Sequence, residues 1–131
     1  MPPKLRVLKL SATGISGPLP SFRNSPLLEE VALDNNRLTL GNASAFDFCP
    51  ELKSVMLSHN NISSDLFTFE GTTKLETFEA SRNMIRGGIP SQWKQLKFCE
   101  KIVLSHNLLE ASLKPMQLMK KLEYVDLVSR V

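Results

Sequence analysis

The chain is 131 residues long, 42% of them apolar, and carries 16 basic and 13 acidic residues for a formal net charge of +3. That is enough apolar material for a continuous core, which argues against disorder of the whole chain, and the charge is too small and too evenly spread to point to nucleic acid. Charged or polar residues interrupt every apolar stretch well short of the roughly 18 residues a membrane-spanning helix needs, so this segment itself is expected to make no membrane contact.

The opening MPPKLRVLKLS leads straight into a patterned stretch, without the charged, apolar and small-residue order of a secretory signal. That stretch, LRVLKLSATGI at residue 5, returns as LEEVALDNNRL at 28, LKSVMLSHNNI at 52, LETFEASRNMI at 75, CEKIVLSHNLL at 99 and, shortened, LEYVDL at 122. The starts lie 23, 24, 23, 24 and 23 residues apart. In each copy the first, fourth and sixth positions are apolar, as in Leu52, Val55 and Leu57, so an extended segment sends these side chains to one face. Strands that recur at this spacing stack side by side and parallel, and the intervening residues return along the other side. A later apolar position, Leu38, Ile62, Ile85 and Leu109, joins the same core. At ~2 kcal/mol per fully buried side chain, no turn offsets its own chain entropy unless neighbours cover both flanks.

Between the sixth position and that later one stands Asn36, Asn60, Asn83 or Asn107, with Thr13 in the first unit. The chain must turn out of the strand there and leaves backbone groups without ladder partners. An amide carries donors and acceptors, so a stacked column of asparagines can satisfy N–H and C=O groups of adjacent turns, and a hydroxyl can do part of that work.

These units resemble the leucine-rich-repeat pattern LxxLxLxxNxL over residues 5 to 131. The resemblance implies an α/β-type repeat solenoid, a right-handed superhelix with a parallel concave β-sheet and a convex side of short strands, 3₁₀ turns and loops, with residues 1–131 as one array. Two units continue as ISGPLP (15–20) and IRGGIP (85–90), similar to the LxGxIP extension of the plant-type subclass. Gly17 and Gly87 there permit positive φ, and Pro20 and Pro90 favour an extended return. The other units depart from this, with Leu40, Ser64 and Ala111 in the glycine position and Ala43, Phe67 and Lys114 in the proline position. A return of about a dozen residues is too short for long outer helices. Phe22, Phe46, Phe69 and Phe98 are expected to fill the outer half of the core.

Cys49 and Cys99 form no CxxC pair and have no histidines at metal-ligand spacing. They lie about two turns apart, near 10 Å at ~4.8 Å per strand, beyond the Cα separation of a disulfide, which predicts two free, buried thiols. No nucleophile elbow, phosphate loop or zinc-protease helix occurs, and the two histidines, His59 and His106, share one outward position with Arg82 between them. A non-enzyme without cofactor or metal is expected. Two sequons, Asn42-Ala43-Ser44 and Asn61-Ile62-Ser63, fall in a loop and just after a strand, as possible glycan sites.

The outward positions line up across turns and give a candidate ligand face on the concave sheet: Ser58, Ser81 and Ser105 in one column, His59, Arg82 and His106 in the next, with Glu79 alongside. Hydroxyls beside a cationic row offer hydrogen bonds to an extended peptide and an anchor for a carboxylate. The plant-type resemblance implies an extracellular or cell-surface recognition module of a longer membrane protein that binds a protein or peptide. The absent signal order and unpaired cysteines point instead to a cytoplasmic interaction scaffold, and a truncated product without independent role is a third reading. The array lacks polar caps, so an open edge around Val125 and Leu127 and self-association through the ends are expected.

Overall fold

The computed structural model describes residues 1–110 and 112–129. Along the chain run β1 (Val7–Lys9), β2 (Ser16–Gly17), β3 (Glu30–Ala32), β4 (Arg37–Leu38), β5 (Ser54–Met56), β6 (Ser63–Asp65), β7 (Thr77–Glu79), β8 (Met84–Gly87), β9 (Lys101–Val103), β10 (Leu108–Leu109) and β11 (Tyr124–Asp126). The six strands of the repeat form one parallel sheet in the order β1-β3-β5-β7-β9-β11, each in register with the next, so that Leu8, Val31, Val55, Phe78, Ile102 and Val125 make one row. On the return side the order is β10-β8-β6 in one small parallel sheet and β2-β4 in another, followed in two turns by 3₁₀ segments, Ser91–Gln95 and Lys114–Leu118. The result is a solenoid of about five turns with no α-helix among the described residues. Gly17 and Gly87 take φ of +90° and +88°, the conformation for which a residue without Cβ suits that position. Ala111, the fifth occupant of the position, lies outside the described residues.

The core lies between the sheet and the return. Leu28, Leu52, Leu75 and Cys99 occupy the first repeat position, and all four are buried. Behind them Phe22, Phe46, Phe69 and Trp93 form an aromatic column, with ring centroids 5.1, 5.8 and 6.2 Å apart along it. The Trp93 indole N–H donates to the Phe67 carbonyl at 2.8 Å, which satisfies its one polar atom inside the core. Phe98, expected in this column, is instead 49% exposed, with the Lys121 ammonium 5.2 Å from its ring centroid. The reason is register. Counting one repeat from Phe69 reaches Trp93, whereas Phe98 immediately precedes an inward position and points out, like Leu27 and Lys74 one and more turns before it.

The asparagine column staples the turns. Asn60 donates to the carbonyls of Leu57 in its own turn and Leu33 in the preceding one, both at 3.0 Å, and accepts from the Leu38 N–H at 3.0 Å. Asn83 repeats this with Ala80, Leu57 and Ile62, and Asn107 with Leu104, Ala80 and Ile85. Thr13 keeps one of these bonds, its hydroxyl donating to Leu10 at 2.7 Å. Among the described residues no buried side-chain nitrogen or oxygen is left without a partner. Cys49 and Cys99 are free and buried, and burial pushes both thiols up to about 11.

Candidate ligand-binding face

The solvent side of the six-stranded sheet is built from the residues between the inward ones. Register places Met56, Glu79 and Val103 in one row, and Ser54, Thr77 and Lys101 in the row before it. Glu79 is tied to Lys101, with 3.6 Å between carboxylate and ammonium. Ser58, Ser81 and Ser105 lie half-buried where the strands end, and the Ser58 hydroxyl accepts the Ser81 N–H at 3.0 Å. That bond occupies part of its capacity and fixes its direction.

One residue further on, Asn35, His59, Arg82 and His106 take φ of +57°, +59°, +55° and +58°. This left-handed step costs a residue with a Cβ roughly 1–2 kcal/mol, yet it recurs because it swings the next residue, the asparagine, inward while keeping the ladder intact. The N–H groups of His59, Arg82 and His106 still donate to Ser81, Ser105 and Val128 at 2.8, 2.9 and 2.7 Å. Asparagine at 35 and histidine at 59 and 106 are residue types enriched in this conformation, whereas arginine at 82 carries no such signal.

At that rim the surface dips into an open hollow of about 260 Å³ lined by Asn60, Asn61, Arg82, Asn83, Met84 and His106. Arg82 is exposed, and none of the five salt bridges among the described residues involves it. The residues singled out from sequence are therefore divided. Arg82 and His106 share the hollow, and His59 stands one turn away in the same column. The three serines flank the column, and Glu79 faces Lys101 nearer the strand centres. Asn61, Met84 and Lys101 were missed, although all three occupy outward repeat positions. Glu29, Glu76 and Glu100 lie at the opposite rim, six residues earlier in each turn and so about 20 Å away along an extended strand. Arg6 reaches Glu29 there at 2.7 Å and holds its carboxyl below the usual carboxylate range. Lys53 stands between Glu29 and Glu76 in that row, so its charge is mixed, while Arg82 is the one permanently charged residue lining the hollow.

Of the two sequon asparagines, both exposed, Asn61 lines the hollow. Asn42 lies on the return side, where its side-chain oxygen accepts the Ser44 N–H at 2.8 Å.

Residues 26–85 match the family model described as leucine rich repeat. A solved structure, that of the plant peptide hormone receptor RGFR1 in complex with RGF2, superposes over 96% of this chain with a TM-score of 0.85 and 24% sequence identity. The fold is a leucine-rich-repeat solenoid. The likeness is one of architecture, and this chain spans 22% of that receptor chain's length. No curated protein matches its sequence. The asparagine column and the row of left-handed residues are thus the means by which a leucine-rich-repeat turn sets its outward side chains in line.

Proposed function

We propose that residues 1–131 act as one array that binds an extended protein or peptide segment along the solvent side of the six-stranded sheet, without catalysis, as a recognition part of an extracellular or cell-surface receptor of plant type. The observation that carries this reading is Arg82, a cation with no carboxylate partner among the described residues, set in a hollow with His106 beside a row of serine hydroxyls. A guanidinium there can hold a carboxylate by two parallel hydrogen bonds, which a lysine cannot reproduce. The neighbouring fold in the comparison is a receptor in complex with a peptide hormone, which supports a peptide as ligand class. The test is selection of a random peptide library against the chain. Peptides carrying an acidic residue or a free C-terminal carboxylate are expected to be enriched, and Arg82→Ala, His59→Ala and His106→Ala should weaken them while Lys94→Ala, on the return side, does not. Equal affinity for all four variants would place the interface elsewhere.

The receptor setting also bears on the sequons. A glycan on Asn61 would stand in the hollow, whereas one on Asn42 would project from the return side, so we propose Asn42 as the acceptor compatible with binding. Mass spectrometry of host-derived protein tests this, and a glycan at neither site would favour the cytoplasmic scaffold.

A further inference from the structure

The rim opposite the ligand hollow carries two rows of side chains that the hollow does not use. The residue just ahead of the first repeat position is Leu27, Glu51, Lys74 and Phe98 in the second to fifth turns, and two residues later stand Glu29, Lys53, Glu76 and Glu100. Leu27 and Phe98 are 47% and 49% exposed, while Glu51 and Lys74 between them pair at 2.9 Å. Two hollows open beside the first row, about 310 Å³ among Arg6, Leu27, Glu29 and Glu51 and about 270 Å³ among Lys53, Lys74, Glu76 and Phe98. Along the array the first row runs apolar, acidic, basic, apolar, so it is complementary to its own reverse. We propose that this rim binds the same rim of a second copy of the chain, the two solenoids running antiparallel about a two-fold axis between the turns of Glu51 and Lys74. The contacts centre on the side of the middle turns, which stays available whatever adjoins the array.

The two-fold axis fixes the pairs. Glu51 of one copy meets Lys74 of the other, twice, which joins the ion pairs of the two chains into a ring of four alternating charges. Lys53 meets Glu76, also twice. Leu27 meets Phe98, and the Phe98 ring enters the hollow beside Leu27 and the Arg6 guanidinium, a cation over a ring that already has the Lys121 ammonium 5.2 Å from its centroid. One like-charged pair opposes the contact, Glu29 facing Glu100, and Arg6, 2.7 Å from Glu29, is shared between the two carboxylates. A parallel arrangement sets Glu51 against Glu51 and Lys74 against Lys74, so charge selects the antiparallel one. Four turns span about 15 Å at ~4.8 Å per turn, which keeps the contact below the roughly 800 Å² per partner of a standard interface, and the dimer is a weak one. Both six-stranded sheets face the same way in it, and both Arg82 hollows lie on the outer rims, so the pairing neither blocks the ligand face nor rests on it.

The same surface on both copies closes the assembly at two. Sedimentation velocity of the chain over a concentration series up to about 1 mM should show an average mass that rises from one copy and stops at two. Glu51→Lys sets like charges across the axis, as does Lys74→Glu, and each should weaken association at least about tenfold. Mixing the two variants, or joining both changes in one chain, should restore it, since every lysine then faces a carboxylate again. Loss of the Glu51–Lys74 bridge within one chain cannot produce that rescue on mixing. Phe98→Ala should weaken association too, whereas Arg82→Ala, on the far rim, should leave the mass series unchanged, so loss of a ligand and loss of the dimer are separate results. A monomer throughout the series, a mass that grows past two copies, or a mixture of the charge variants that stays monomeric would overturn the proposal.

Discussion

In the second to fifth turns the sixth repeat position holds Leu33, Leu57, Ala80 and Leu104, all buried, whereas Leu10 in the first turn is 37% exposed, and in the last turn Val125, at the fourth position, is 41% exposed. The residue type is nearly constant along the array, so the difference is made by neighbours and not by sequence within the turn. A middle turn is covered on both flanks, stapled by an asparagine and backed by an aromatic. The first has a hydroxyl in place of the amide, and among the described residues no strand pairs with its outer edge. Stability in this molecule belongs to the contact between turns.

The sharpest way to break that comparison is to cut the apolar side chain at the same repeat position, the fourth, from a middle and an end turn. Phe78→Ala removes a ring packed edge-on against Phe67, Phe69 and Trp93 and should cost about 3–5 kcal/mol in urea unfolding, while Leu8→Ala should cost about 1 kcal/mol, well below a buried leucine. Next come the staples. Asn60→Ala or Asn83→Ala leaves buried backbone groups without partners and should cost about 1–3 kcal/mol, and exposed Asn35→Ala, which gives up only the residue type suited to φ of +57°, should cost less than about 1 kcal/mol. Equal midpoints for Asn83→Ala and Asn35→Ala would sink the ladder.

The thiols sharpen the comparison by titration. Their pKa is raised in the folded chain, so the stability they contribute is fully present below their ordinary value of 9.0 and is lost as pH rises through about 11. Unfolding free energy should fall by up to about 2–3 kcal/mol per thiol over that window, and Cys49→Ala with Cys99→Ala should flatten the pH profile. The smallest effect concerns the left-handed row. Arg82→Gly should be neutral or stabilise by less than about 1 kcal/mol, since glycine takes φ of +55° freely, whereas Arg82→Val should destabilise; thermal midpoints of the pair decide it.

Sequence periodicity revealed the strands, their parallel order and the asparagine column, because one template repeats with almost no drift and each of its positions has a single physical role. It failed where residue type was read without position. Phe98 was placed in the core for being aromatic, while Trp93, one repeat beyond Phe69, holds that place. The return side was legible only as short and irregular, since Leu40 and Ser64 stand where a glycine would mark the turn. The ligand face was legible as columns, but not as a hollow: the exposed Asn61 and Met84 that line it with His106 each follow two residues after a left-handed step, at His59 and Arg82.

Amide hydrogen exchange tests the role of the staples most directly. The N–H groups of Leu38, Ile62 and Ile85 each donate to the side chain of the next turn's asparagine at 3.0 Å. They should exchange only through global unfolding, while amides of β1 and β11 exchange faster by fraying. In the Asn83→Ala variant protection should drop first and most at Ile62. Uniform protection from β1 to β11, or an Asn83→Ala variant that keeps Ile62 as slow as before, would contradict the account.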